Sequence, residues 1–225
     1  MILSSAKRRW LLGWICASLL ILSELLPGQI QYGAASAVTL SRMWGLEARD
    51  RDWKPGALFG IFGAIPVAEN LALRLEVNFS MKGYHYTYRE DGDIPGNKVH
   101  AYLDLNYIEM PILLQFAVPI GPELSPLDEP LVPEIFVGFA PGYNIRATAR
   151  ARIGDSKTSE SVDNIRALDI SAMLGASVEL PKNFYLQLRA SAGLLPVIDV
   201  QYPPKRYNLC GAAGLEYRLP VKQGK

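Results

Sequence analysis

The 225-residue chain is poor in the residues that build chemical centres: it has two cysteines, Cys16 and Cys210, and two histidines, His85 and His100. Two thiols exclude both a disulfide scaffold and any site made of several thiolates. Two histidines leave little for acid–base or metal chemistry, and no spacing signature joins them to a nucleophile or a third ligand. The chain also lacks an excess of either charge, with 23 Lys and Arg against 22 Asp and Glu. That balance excludes the phosphate-neutralising surface of a nucleic-acid binder. Beyond residue 37 there is no apolar run long enough for a membrane-spanning helix. Disorder is excluded in turn, because 49% of the chain is apolar and only 20% is charged.

What is present begins at the N-terminus. Lys7-Arg8-Arg9 precedes an apolar run from Trp10 to Leu26, which Pro27-Gly28 breaks. A basic segment followed by an apolar one reads as a secretory signal, and the small residues Ala35-Ser36-Ala37 offer a cleavage point. Residues 1–37 are therefore expected to be a signal peptide, with a retained membrane anchor as the competing reading. Cys16 leaves with the signal, and Cys210 is expected to be a small packing residue.

The rest of the chain alternates. Between Leu71 and Met81 the odd positions are Leu71, Leu73, Leu75, Val77, Phe79 and Met81, while the even ones include Arg74, Glu76, Asn78 and Ser80. A period of two means a strand with one apolar and one polar or small face. Eleven residues also match the length that crosses the hydrocarbon at a tilt. The same pattern recurs over 168–180, 184–194 and 207–219, and from Ile135 to Ile153, where Asn144, Arg146, Thr148, Arg150 and Arg152 gather on the polar side. Between Ala101 and Val118 the apolar parity slips: Leu103 and Leu105 are odd, whereas Ile108, Met110, Ile112, Leu114 and Phe116 are even. A β-bulge near Asn106-Tyr107 would account for that slip. Weaker segments at 38–48 and 55–65 bring the total to eight strands, with Gly60 and Gly63 inside a strand, where they relieve crowding.

The connections differ in kind. Residues 65–70 and 181–183 make compact turns, whereas 89–98, 154–165 and 196–205 are longer and polar. Short turns at one end and long loops at the other are the layout of an outer-membrane barrel. Tyr84, Tyr86, Tyr88, Tyr143 and Tyr207 are placed either as part of an interfacial aromatic girdle or as ordinary strand formers.

Alternation does not say which face points outward, and a soluble lipocalin-like lipid binder would reverse the faces. Two features favour the membrane. The polar faces are rich in Gly, Ala and Ser, and they carry both signs of charge, Arg74, Arg146, Arg150, Arg189 and Arg218 against Glu76, Glu134, Glu179 and Glu216. Charges of both signs can pair inside a barrel, and eight strands leave an interior that side chains fill. The prediction is an all-β chain folded as an eight-stranded antiparallel up-and-down transmembrane barrel over residues 38–219, with a C-terminal tail at 220–225 and a plugged lumen.

The run Tyr107-Ile108-Glu109-Met110-Pro111-Ile112-Leu113-Leu114-Gln115-Phe116 resembles the Tyr-x-Glu-x-Pro-Leu-Leu-Leu-Lys pattern of an outer-membrane β-barrel domain family with PorT-like and OmpX-like members. Lys54-Pro55-Gly56 and Leu75-Glu76-Val77-Asn78-Phe79-Ser80-Met81-Lys82-Gly83 are similar to its second and third strands. The resemblance covers roughly residues 38–219. It departs at the end, where Pro220-Val221-Lys222-Gln223-Gly224-Lys225 stands in place of a terminal aromatic. It implies an integral protein of the bacterial outer membrane with no cofactor, and PorT-like members are tied to type IX secretion. The expected role is structural or interactive rather than enzymatic. The alternative is an outer-membrane lipid-modifying enzyme with His85 or His100 beside Ser80 or Asp104. The expected partners are outer-membrane lipid and a periplasmic protein docking on 119–133, a segment with five prolines, acidic residues and apolar anchors. A turn folded over the barrel mouth is the competing reading of that segment.

Overall fold

The computed structural model describes residues 30–45, 52–89, 98–120, 132–153, 156–198 and 205–220. Among these residues there is no α-helix, and ten strands form one antiparallel sheet: β1 (Gln31–Trp44), β2 (Lys54–Ala68), β3 (Leu71–Arg89), β4 (Lys98–Glu109), β5 (Ile112–Ala117), β6 (Glu134–Ile153), β7 (Ser156–Ser161), β8 (Leu168–Leu180), β9 (Phe184–Gly193) and β10 (Tyr207–Arg218). β1 pairs with both β2 and β10, so the sheet closes on itself. β4 and β5 lie end to end between β3 and β6, separated at Met110-Pro111 where proline has no N–H for the ladder. Counted as one, they make a ring of eight strands, and β7 is an additional strand folded back on the end of β6.

Closure removes every exposed strand edge from the ring, which is the condition for a sheet to sit in lipid. The connections are short where the sequence indicated: Glu69-Asn70 joins β2 to β3, and Pro181–Asn183 joins β8 to β9. In the latter, Lys182 and Asn183 take φ of 65° and 63°. Two successive left-handed residues reverse the chain in the sense that matches the right-handed twist of the flanking strands. The connection expected as a polar loop over 154–165 contains β7.

The ring begins before the expected boundary. Gln31–Ala37 are part of β1, and Gly33 to Ala37 pair with Arg218 to Gly214 of β10. The barrel therefore starts at residue 31 instead of 38. Cleavage after Ala37 would remove half of the strand that closes the ring. Residues 1–29, where the expected leader falls, lie outside the described residues.

Side chains that alternate along each strand now have a direction. Val38, Ile61, Val77, Phe139, Leu174 and Leu188 are exposed on the outer wall, Phe139 and Leu188 each at 58%. Arg74, Glu76, Asn78, Gln187 and Glu216 are buried inside, with Arg74 at 0% and Glu216 at 1%. The apolar face is the outer one, so the barrel is inverted relative to a soluble lipid carrier. Gly60 fits this packing, because a Cβ on it would stand 1.8 Å from Oδ1 of the inward-facing Asn78.

Toward the long-loop end this polarity changes over. Met43, Leu103, Leu105, Tyr107 and Val197 form a buried apolar cluster inside, joined by Tyr84, Ala147, Val162, Ile165 and Ile198. Outside at this level stand Asp104, Arg146, Thr148 and Arg150 around one shallow hollow. The parity slip at Asn106-Tyr107 is therefore not a bulge in its own strand. Leu103, Leu105, Tyr107, Glu109, Leu113 and Gln115 are all buried on one continuous face. The environment outside that strand changes instead, from apolar surroundings beside Ile108 to water beside Asp104. The bulge lies on the partner: Asn106 pairs with Arg146 and Tyr107 with Asn144, leaving Ile145 as the extra residue in β6. That insertion turns Arg146, Thr148, Arg150 and Arg152 away from the lumen and brings the alanines between them inward.

Candidate functional site

The interior is the first candidate site, and β3, β6, β9 and β10 supply its charges. Arg189 on β9 reaches Glu76 on β3 with two parallel hydrogen bonds, Nη1 to Oε2 at 2.5 Å and Nη2 to Oε1 at 3.0 Å. Arg74, also on β3, donates from Nε to Glu76 Oε1 at 2.5 Å and from Nη2 to Glu216 Oε2 on β10 at 2.8 Å. Arg218 then takes Glu216 at 2.6 Å and continues to Glu134 on β6, where Nη1 donates to Oε1 at 2.7 Å and Nη2 makes a second contact with Oε2. The result is an unbroken alternating chain, Arg189–Glu76–Arg74–Glu216–Arg218–Glu134, with three charges of each sign. β3 and β9 are four places apart in the ring of eight, so the chain crosses the lumen from one wall to the opposite one.

Neutral partners complete it. Asn78 donates to Glu76 at 2.8 Å, Ser177 to Glu134 at 2.8 Å, and Arg189 Nε to Gln187 at 2.7 Å. Aromatic rings cover the guanidinium faces, with Arg74 3.7 Å from the Phe62 centroid and Arg218 3.5 Å from that of Tyr185. A buried charge is tolerable only when paired and hydrogen-bonded in this way. Of the charged residues the sequence assigned to the polar faces, Arg74, Arg189, Arg218, Glu76, Glu134 and Glu216 meet here. Arg146 and Arg150 do not, because the β6 bulge puts them outside, and Glu179 is exposed.

Sequence reasoning missed a second interior group. Lys82 donates to Glu109 at 2.6 Å, and Asn208 donates to Asp169 at 2.9 Å and to the Tyr107 hydroxyl at 3.3 Å. Ser80 Oγ, Asp169 Oδ1, Ser171 Oγ and Asn208 Oδ1 have no protein partner, and buried polar atoms of this kind are normally satisfied by ordered water. Cys210 is buried, as its role as a packing residue requires. One aromatic pair stands at each end of the outer wall along β1, β9 and β10: Trp44 and Tyr207 lie 5.3 Å apart toward the long loops, and Phe184 and Tyr217 lie 5.1 Å apart at the short-turn end. Tyr143 is exposed on the same wall, but Tyr84 points inward to the apolar cluster and is no part of a girdle.

The histidines occupy the outer face of the strand extension. Thr87 is paired with His100 and Tyr102 with His85 across β3 and β4. Ser80, once a candidate neighbour, is buried in the lumen, and Asp104 is held by Lys54 at 2.9 Å and by Arg150. Neither touches a histidine ring. Instead the rings meet Thr87: its Oγ1 lies 3.2 Å from His85 Nε2 and 3.1 Å from His100 Nδ1, and the two nitrogens are 3.4 Å apart.

A closed antiparallel ring with an apolar outer belt, a charged interior, short turns at one end and long connections at the other is an outer-membrane β-barrel. The chain belongs to the outer membrane protein beta-barrel domain family, whose model matches residues 28–199. No curated protein matches the sequence at a significant level. Among solved structures it is similar to the attachment invasion locus protein Ail of Yersinia pestis, with 10% identity, 85% of this chain and 100% of that one covered, and a TM-score of 0.45. Neisserial surface protein A gives 12% identity, 85% and 100% coverage and a TM-score of 0.45. The outer membrane enzyme PagL gives 14%, 86% and 100%, and 0.29.

Proposed function

We propose that this barrel is a closed anchor in the outer membrane that works through the surfaces it presents at its two ends, without conducting ions and without catalysis. The observation that carries this reading is the six-residue charge chain, which joins opposite walls of the lumen with every carboxylate held by at least one arginine. A channel for solutes needs a hydrated path past that chain, and an eight-stranded ring leaves no spare width. The test is conductance of the detergent-purified barrel in planar bilayers. The native protein is expected to stay near baseline, while Glu76→Ala with Arg189→Ala opens measurable leak. Large and stable porin-like conductance by the native protein would overturn the reading.

The match of residues 107–116 to the PorT-like pattern supports placing the anchor in a type IX secretion assembly, with a periplasmic partner on the connection between β5 and β6. The centre of that connection, 121–131, lies outside the described residues; its ends are tied by a hydrogen bond from Val118 N to Pro133 O at 2.9 Å. Replacing 119–133 by an Asn-Gly turn should leave folding intact and remove a co-purifying protein. An unchanged set of bound proteins would sink the docking role. Export by an N-terminal signal goes with this reading, with processing upstream of Gln31 so that β1 is kept whole.

A further inference from the structure

We propose that His85, His100 and Thr87 form a binding site for a divalent, imidazole-preferring metal ion on the outer face of the barrel, beyond the apolar belt and on the long-loop side. The sequence offered two histidines and no third ligand. The fold supplies one. β3 places His85 and Thr87 two residues apart, hence on the same face, and β4 places His100 directly opposite Thr87. The three donor atoms then make a triangle with sides of 3.1, 3.2 and 3.4 Å. Tetrahedral ligands held at about 2.0 to 2.1 Å from a zinc ion stand about 3.3 to 3.4 Å from one another. The triangle therefore matches one face of such a polyhedron in its edge lengths. The two rings stand nearly parallel, with centroids 5.7 Å apart, 14° between their planes and nitrogen facing nitrogen, so each ring must also turn within its plane to aim its lone pair at a shared ion.

The surroundings fit the same use. A ligating histidine usually turns its other ring nitrogen to a carboxylate, which fixes the tautomer. His85 presents Nε2 to the triangle, and its Nδ1 faces Asp52 Oδ2 at 3.8 Å. Asp52 is held at that place by backbone pairing, its N donating to His85 O at 2.8 Å and its O accepting from His85 N at 3.3 Å. Tyr102 stacks on the His85 ring with centroids 4.5 Å apart and limits its rotation. Among the described residues no group of three His, Cys, Asp or Glu converges on a metal position. The third donor here is a neutral hydroxyl, which makes the site weaker than a three-histidine centre and leaves its fourth position to water. Two imidazoles select zinc, copper or nickel over calcium and magnesium, which take oxygen donors.

The test uses untagged full-length protein folded in detergent, titrated with Zn²⁺ against a chromophoric chelator and with Cu²⁺ followed by electron paramagnetic resonance. The expected result is one ion per chain, with nitrogen hyperfine structure from two imidazoles. His85→Ala and His100→Ala should each weaken binding at least tenfold, and Thr87→Val should weaken it less while keeping the two-nitrogen signal. All three positions lie on an exposed face, and heat-modifiable gel mobility confirms that each variant is folded. Binding by both histidine variants equal to that of the native chain, or no binding by the native chain at one ion per molecule, would overturn the proposal.

Discussion

The belt of the barrel and the strand extension beyond it are made from the same strands, yet they solve opposite problems. In the belt the outer wall is Val, Leu, Ile and Phe and the interior is arginine and glutamate. In the extension the interior is Met43, Leu103, Leu105 and Val197, and the outside is His85, Thr87, Asp104 and Arg150. Lipid around the belt supplies the apolar contact, so the lumen is free to hold charge. Water around the extension reverses the requirement, and the apolar side chains turn inward as in a soluble sheet. The changeover is abrupt because two local devices sit at it. One is the β6 bulge at Ile145. The other is Gly83, with φ of +133° and no space for a Cβ, which would stand 1.8 Å from Leu103 O.

Unpairing the belt interior is expected to do the most damage. Glu76→Ala leaves both Arg74 and Arg189 buried without their shared carboxylate, at an expected cost of about 3 to 5 kcal/mol; urea unfolding in detergent micelles measures it. A somewhat smaller loss, about 2 to 4 kcal/mol, is expected when Leu188→Arg puts a charge on the lipid face near the midplane, and failure to assemble would show as lost heat-modifiable mobility. In the extension the interior is the apolar side, so Leu105→Ala should cost about 2 kcal/mol through the cavity it leaves. Its unfolding should show local opening near β7 by hydrogen exchange before the belt yields. The smallest effect belongs to Thr148→Arg, which adds the same charge as Leu188→Arg but in water, and it should stay within about 0.5 kcal/mol. If Thr148→Arg were as damaging as Leu188→Arg, the outer wall there would also lie in lipid.

Much of the belt was legible because period-two alternation, both signs of charge on one face and unequal connections are all local patterns. Arg74, Glu76, Arg189 and Glu216 could be assigned to the lumen from parity alone. Parity failed at the changeover. Leu103 and Leu105 broke the apolar pattern, and a bulge in their own strand was the economical explanation, but the cause was a change of solvent outside an unbroken strand. For Arg146 and Arg150 the reverse held: they kept the pattern of Asn144 while an actual bulge turned them out. The histidine cluster was hidden for another reason. His85 and Thr87 share a face by their spacing of two, but His100 stands fifteen residues from His85, and only strand register brings it to them.

The charge chain also bears on how the ring chooses its seam. Sliding β10 by two residues against β1 would preserve every inward and outward assignment, so alternation alone does not forbid it. The slide would put Gly214 where Glu216 now stands and Glu216 in the place of Arg218, facing Glu134 with its own sign. Arg74 would lose its second carboxylate, and two acids would share one pocket. The interior thus acts as a key cut for a single alignment of the closing strand, and a misthreaded barrel is rejected by the charges it would bring together.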